Sequence, residues 1–375
     1  MIIKAPAPKR VPFCVLMWNI AKNALRKCVG ERRFDYLVYR RHHRWLLYHN
    51  GFDNRHADGE EAYLAKWRQL YPHVEPYSYR LFSHYCGTTP NIVPEDIMHH
   101  ELELRLNPPE QWLEYEDKNN FAKYVDANLL PETVAFRQHN GPITNNSALL
   151  TQHSSLILKP SVNTSCGESI MRFDRVGENY IAGDGTRLTD SFLESYGSDW
   201  VLQKAIVQHP DMQRFCHSAV STVRVVVYRS VTDNQPHVTA AVLRVGQEGT
   251  VVDNIVAGGR FLRVNVSDGS IEGPFISRFG SRSNIWNGLD INAQHYAVPS
   301  WDEVLQLSRN VALAIAPHRL LALDIAVNEK VKPMLIEYNI GGFTTYLFHF
   351  TGQTVFGPYT DEVISNSLSV TASSN

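Results

Sequence analysis

An α+β fold is predicted, with a mostly helical N-terminal region leading into a strand-rich remainder. Three observations predict it. Residues 1–115 are rich in aromatics and His and carry helical spacing, with Ala62–Tyr71 and Asp96–Leu106 as candidate helices. From about residue 116 the texture changes to short β-branched runs. The chain then nears its end on two apolar, strand-like runs, Leu320–Val327 and Pro333–Asn339, which nonetheless hold Asp324, Glu337 and Asn339.

The bulk properties bound the answer. At 375 residues the chain can bury a large core and build two or three lobes. Hydrophobic residues make up 43% and charged residues 20%, the balance of a soluble globular protein. A net charge of −2 gives no global ground for nucleic-acid binding, so no nucleic-acid partner is expected. The five cysteines are scattered with no C-x-x-C pair, which fits a reduced compartment and a cytoplasmic location. No apolar run reaches the roughly 20 residues that span a bilayer, so no transmembrane segment is expected.

The elements follow in order. Lys4, Lys9 and Arg10 precede Val11–Ile20, a loose imitation of a signal peptide. The run is short and is followed at once by Lys22, Arg26 and Lys27, so it reads instead as an amphipathic helix with Phe13, Leu16, Met17, Ile20 and Ala24 inward. Arg40-Arg41-His42-His43-Arg44, flanked by Tyr39, Trp45 and Tyr48, reads as a solvated helix face; peripheral contact with a membrane or an anionic substrate is the alternative. A helical stretch is expected over Asn119–Asn128 and extended chain over Leu130–Val134. Strands are expected at Ser155–Leu158, Trp200–Val207, Thr222–Tyr228, His237–Val245 and Phe261–Val266. In Thr222–Tyr228 the residues Val223, Val225 and Val227 share one face and Arg224 takes the other. Ser300-Trp301-Asp302-Glu303 reads as a capping box opening a helix with Val304, Leu307, Val311 and Ile315 on one side. The Ser/Thr-rich end, Ser365–Asn375, is expected to fray.

Chemistry concentrates in the closing pair. Residues two apart in a strand share a face, so Leu335, Glu337 and Asn339 point the same way. A hairpin turning near Lys330 and Val331 sets Asp324 opposite Glu337. Buried carboxylates need partners, and three oxygen-bearing side chains suit a hard cation such as Mg²⁺ together with nucleotide phosphates. The alternative is a carboxylate set paired with Lys or Arg. Upstream, Lys159 ends a strand and is followed by Ser161 and a run of small residues through Ser165 and Gly167, whose amides can approach phosphate. The run is no Walker A loop, and a plain strand and turn is the alternative. Lys118, taken alone, reads as a surface residue. The stretch holding Gln203, Lys204 and Ile206 suits either the edge of an adenine or a core strand. Arg224 suits a phosphate or acyl-phosphate oxyanion, or a structural ion pair. Gly258-Gly259-Arg260 after Asn254 suggests close backbone approach to a ligand, or a turn. No G-x-S-x-G or H-E-x-x-H occurs, and no Gly-rich dinucleotide turn.

Taken in order, Asp117-Lys118, Lys159-Pro160-Ser161, Gln203–Ile206, Arg224 and the D-x(12)-E-x-N triplet resemble the ATP-grasp superfamily over residues 116 to about 345. Gln208-His209-Pro210, Thr222-Val223-Arg224 and Val252-Asp253-Asn254 with Gly258-Gly259 most resemble its sugar-transfer-associated subfamily. The resemblance implies ATP held between two α+β lobes, residues 116–206 and 207–360. A helical region, 1–115, would serve substrate or partner contacts, and 361–375 would form a tail. It implies Lys118 and Lys159 on phosphates, a lid around Ser161, Ser165 and Gly167, and Gln203, Lys204 and Ile206 at adenine. Asp211 would hold ribose, and Asp324, Glu337 and Asn339 would hold Mg²⁺. Arg224 and Lys159 would be catalytic, with Asn254, Gly258, Gly259 and Arg260 at the substrate. The implied reaction activates a small or sugar-linked carboxylate as an acyl phosphate and joins it to an amine, in polysaccharide or secondary-metabolite synthesis. Phosphotransfer to a hydroxyl and a non-catalytic nucleotide-binding scaffold are the alternatives. The sequence departs from the family at Gln203, where Glu is common, and in its helical, His-rich N-terminal region.

Overall fold

The β-branched runs pair into two antiparallel sheets. A computed structural model describes residue 28 and residues 30–145, 152–162, 169–342 and 344–372. The amphipathic helix expected at 11–20, and Ser165 and Gly167 of the small-residue loop, lie outside the described residues. The first sheet contains β1 (Thr133–Arg137), β2 (Thr144–Asn145), β3 (Ser155–Pro160), β4 (Met171–Val176), β5 (Asn179–Ala182) and β6 (Trp200–Lys204), in the order β2-β1-β6-β3-β4-β5. Leu156, Leu158, Phe173, Trp200 and Leu202 form its core with Leu193 from the helix Asp190–Tyr196.

The second sheet carries β7 (Thr222–Arg229), β8 (Pro236–Val245), β9 (Arg260–Val264) and β10 (Ser270–Ile276), then the strands Leu320–Val327 and Pro333–Asn339. Its order runs Arg282–Ser283, then β10-β9-β8-β7, then Leu320–Val327, then Pro333–Asn339 at the edge, with Tyr296–Ala297 also pairing β10. The five strands expected between residues 155 and 266 are all present; β4, β5 and β10 were not anticipated. On one face Val223, Val225 and Val227 meet Val304, Leu307, Val311 and Ile315 of the helix Trp301–Ala314. On the other face Val226, Tyr228, Ala240, Val242 and Phe261 meet Leu46, Leu47, Tyr63, Trp67 and Phe82. These last come from the helices Glu31–His49, Glu60–Trp67 and Tyr77–Cys86, so the N-terminal helices and the sheet share one core. Burial on both faces explains why these strands read as nearly continuous apolar runs. No helix among the described residues is long and apolar enough to cross a membrane.

Five local expectations are corrected. Asn119–Asn128 is not one helix but two 3₁₀ turns, Lys118–Lys123 and Ala127–Leu129. Asp117 and Asp126 each accept from the amide two residues on (3.0 and 2.9 Å), which favours short turns over a continuing helix. The segment expected as one helix over Asp96–Leu106 is interrupted by a π-type turn, Met98–Leu102. That wider turn accompanies an inward Glu103, whose Oε2 accepts from the Gly342 amide at 3.0 Å. Ser300 makes no capping box: it sits at φ 51°, and its hydroxyl donates to the Val331 carbonyl at 2.8 Å. Where fraying was expected from Ser365 on, the described residues continue a helix, Thr360–Ala372. It is anchored by buried Val363 and Ile364 and by Glu362, whose carboxylate accepts from Tyr228 Oη (2.9 Å) and Val231 N (2.7 Å). In the basic run, Arg41 and Arg44 face outward as expected, but His43 is buried edge-on to Phe82.

Phe82 joins the N-terminal helices to the sheet-side helix Tyr346–Phe350, packing edge-on to Phe350 at 5.1 Å. Phe82→Ala is expected to cost about 3–5 kcal/mol in urea unfolding. It should shift the far-UV circular dichroism and Trp fluorescence transitions together; two separated transitions would show that helices and sheet do not form one core.

Candidate functional site

Strand register decides which polar groups meet. Asp324 pairs across the closing hairpin with Glu337 and, on its other side, with Arg224 of β7. Every residue of the Asp324 strand is buried. Arg224 donates to Asp324 through Nε (2.8 Å to Oδ1) and Nη2 (2.7 Å to Oδ2). Arg244, reaching over from β8, donates Nη1 to Oδ2 at 2.7 Å and Nη2 to Asp253 Oδ1 at 2.9 Å. Asp253 is fixed in turn by the Thr222 amide (3.2 Å) and the Thr222 hydroxyl. Burial pushes the Asp324 carboxyl up, but the Arg224 and Arg244 guanidinium groups outweigh it and hold it well below the usual carboxylate range. Burial likewise opposes charge on Arg244, and Asp253 and Asp324 more than offset it.

Two lysines close the same space. The Lys118 amide donates to the Ser161 carbonyl at 3.1 Å, tying its turn to the end of β3. Its ammonium then lies 3.4 Å from Glu337 Oε2 with the side chain 8% exposed, so Lys118 is not the surface residue it reads as in isolation. Lys159 Nζ donates to the Ile336 carbonyl at 3.4 Å. Burial, with Lys118 nearby, lowers the Lys159 ammonium to about 7, although Glu337 and Asp324 pull the other way.

These groups line a cavity of about 570 Å³. Gln203, Lys204, Ile206, Asn254 and Asn339 line it as well. Gln203 Nε2 lies 3.4 Å from both the Pro131 carbonyl and Thr133 Oγ1. Asn254 Oδ1 accepts from the Val256 amide at 2.7 Å, and Asn339 Nδ2 donates to the Ala322 carbonyl at 3.4 Å.

Five residues singled out from the sequence do not line the cavity. Ser161 is fully buried, and its Oγ has no hydrogen-bond partner among the described residues. Asp211 lies exposed on the helix Pro210–Gln213, with His209 at 3.8 Å and Arg214 at 3.5 Å. Gly258 takes φ 97°. A Cβ on Gly259 would fall 2.8 Å from the Val245 carbonyl, so that glycine serves backbone packing. Arg260 lays its guanidinium over the Trp286 ring, 4.2 Å from the centroid. The paired glycines are thus a packing turn that carries Asp253 and Asn254.

Sequence reasoning missed Arg244 and Glu116. Arg244 sits among alternating residues at the end of β8 and looks solvent-facing in isolation. The available signal was its place two residues from Val242, on the same face of an apolar strand. Glu116 Oε1 accepts from the amides of Ile340 (2.7 Å) and Gly341 (3.3 Å), a contact 224 residues away in sequence and invisible to local pattern.

The donor set fits a hard cation. Asp324 and Glu337 stand opposite each other across the closing hairpin, and both line the cavity. Asn339 adds an amide two residues along. No cluster of three or more His, Cys, Asp or Glu side chains suited to a metal occurs among the described residues; the set here is two carboxylates and an amide.

Comparison with known proteins is consistent in kind. Residues 97–356 match the family described as sugar-transfer associated ATP-grasp. Among solved structures, the ATP-grasp ligase PsnB complexed with a minimal precursor is 14% identical, with a TM-score of 0.37 over 70% of this chain and 64% of that one. This chain therefore spans less than two thirds of that structure's length. D-alanyl-alanine synthetase A from Vibrio cholerae is 12% identical, with a TM-score of 0.40 over 70% of this chain and 68% of that one. L-amino acid ligase from Bacillus licheniformis is 12% identical, with a TM-score of 0.31 over 61% and 41%. No curated protein matches the sequence. The family match extends over more than half of the chain and includes every lining residue named above: this protein belongs to the sugar-transfer associated ATP-grasp family and carries the ATP-grasp fold behind a helical N-terminal region.

Proposed function

We propose that this protein is an ATP- and Mg²⁺-dependent ligase that activates a carboxylate as an acyl phosphate and joins it to an amine. The acid or the amine is sugar-linked or small, in polysaccharide or secondary-metabolite synthesis. The observation that carries the reading is the convergence of Lys118, Lys159, Arg224, Asp324, Glu337 and Asn339 on one cavity. The two sheets would act as the two lobes, residues 116–206 and 207–360, with the nucleotide between them. Lys118 and Lys159 would hold phosphate oxygens as point charges. Gln203, Lys204 and Ile206 would line the base, and Asn254 would face the substrate. Asp324, Glu337 and Asn339 would hold Mg²⁺, whose bound charge neutralises polyphosphate. Arg224 would steady the transferring oxyanion. A cytoplasmic setting fits the free thiols of Cys28, Cys86 and Cys216.

Incubation with ATP, Mg²⁺, hydroxylamine and panels of acids and amines tests the reaction. Hydroxamate together with acid-dependent ADP is expected. A stable phosphorylated product instead would mark a phosphotransferase, and nucleotide binding with no acid-dependent ADP would mark a scaffold. Glu337→Gln should cut turnover at least about 100-fold while weakening nucleotide binding far less; equal loss of both would remove Glu337 from the proposed cation site.

Lys159 adds a pH signature. With its pKa near 7, the amine is largely neutral at pH 8, and a polyphosphate beside it would raise that pKa. Nucleotide binding at pH 8 should therefore take up a proton, and uptake should vanish at pH 6, where the amine is already charged. Calorimetry in two buffers of different ionisation enthalpy reads this directly. Uptake of the same size in Lys159→Met would assign the proton elsewhere.

A further inference from the structure

Asp324 has two claims on it. The proposed function makes it a cation ligand, yet in the structure its two oxygens accept three guanidinium hydrogen bonds. These come from Arg224 Nε (2.8 Å), Arg224 Nη2 (2.7 Å) and Arg244 Nη1 (2.7 Å). Asp324 already has its countercharge: Arg224 and Arg244 are set against Asp324 and Asp253, and Lys118 stands against Glu337 beside them. A divalent cation at Asp324 would add two positive charges to this paired, poorly solvated cluster. Such an excess is costly in a low-dielectric interior unless an anion follows it. The cation would also weaken the hold of Asp324 on the guanidinium arms. Two adjacent forks are a strong binding arrangement for a carboxylate or phosphate.

From this we infer that Arg224 and Arg244 form an oxyanion site that Asp324 keeps closed and that cation engagement of Asp324 opens. Cation and oxyanion then bind synergistically. Asp253 is the positioning residue: gripped by the Thr222 amide and hydroxyl, it fixes the second arm of Arg244 and keeps that side chain in place as Asp324 is shared. The inference rests on the reading of Asp324 as a cation ligand and deepens it by coupling that cation to the acid or phosphoryl group.

Mn²⁺ is the probe, followed by its free-ion EPR signal in the full-length protein without nucleotide. Inorganic phosphate and acetate are added in separate arms. One or both should tighten Mn²⁺ binding about tenfold, and Mn²⁺ should tighten that anion by the same factor. The arm that responds tells phosphoryl from carboxylate recognition. The pair Arg244→Gln with Asp253→Asn removes one charge of each sign. It should bind Mn²⁺ alone severalfold more tightly than wild type, because Asp324 loses a competitor, and its coupling should fall below about twofold. Unchanged Mn²⁺ affinity with unchanged coupling in this variant, or no coupling in wild type, overturns the inference. If the pair unfolds, Arg244→Lys, which keeps the charge and loses the fork, should show the same loss of coupling. A wild-type titration with Mn²⁺ and ADP separates the two readings. No ADP binding defeats the proposed function, whereas ADP binding without anion coupling defeats this inference alone.

Discussion

The carboxylate of Asp324, placed in a strand with no exposed residue, is the constraint on which the site is built. A lone charge there would cost several kcal/mol, and removing one partner of such a buried pair typically costs about 3–5 kcal/mol. The surrounding chain meets that demand step by step. β7 brings Arg224 into register with Asp324, and β8 brings Arg244 within reach. The turn after β8 brings Asp253 to Arg244, and Gly259 lets that turn pack against the Val245 carbonyl. Each requirement follows from the one before it, so the polar cluster and the sheet topology are two descriptions of one solution.

Much of this was legible where the chain repeats a short period. The hairpin register of Asp324 and Glu337 follows from an apolar run, a turn and a second run, because a period of two leaves little freedom. The inward side of Trp301–Ala314 follows from its helical spacing, even though the Ser300 box that seemed to open it does not form. Illegible parts depend on partners distant in sequence. Glu116 is defined by the amides of Ile340 and Gly341, and the C-terminal helix by Glu362 reaching Tyr228 and Val231. Ser and Thr composition suggested fraying there, and tertiary anchoring overrode it. Gly258 and Gly259 show a different limit: a glycine that admits a ligand and a glycine that admits a carbonyl leave the same mark in a sequence.

The lysines illustrate how the cavity is poised. Lys118 and Lys159 lie close enough to depress the proton affinity of Lys159, while the carboxylates behind them raise it. Among the described residues, neither ammonium has a short, dedicated ion pair: Lys118 lies 3.4 Å from Glu337 and Lys159 3.4 Å from the Ile336 carbonyl. Positive charge held this loosely in a partly closed space is well placed to meet a polyanion, because little has to be broken before the new contacts form.

The shared core of the N-terminal helices and the second sheet has an evolutionary consequence. Tyr63, Trp67 and Phe82 are interior residues of the same hydrophobic body that contains β7 and β8. Recombination that swapped this helical segment with that of a relative would expose or overfill that body, so inheritance of the two parts is tied. A change in what the cavity accommodates is then expected from point changes in its lining loop, residues 251–256, rather than from exchange of a module.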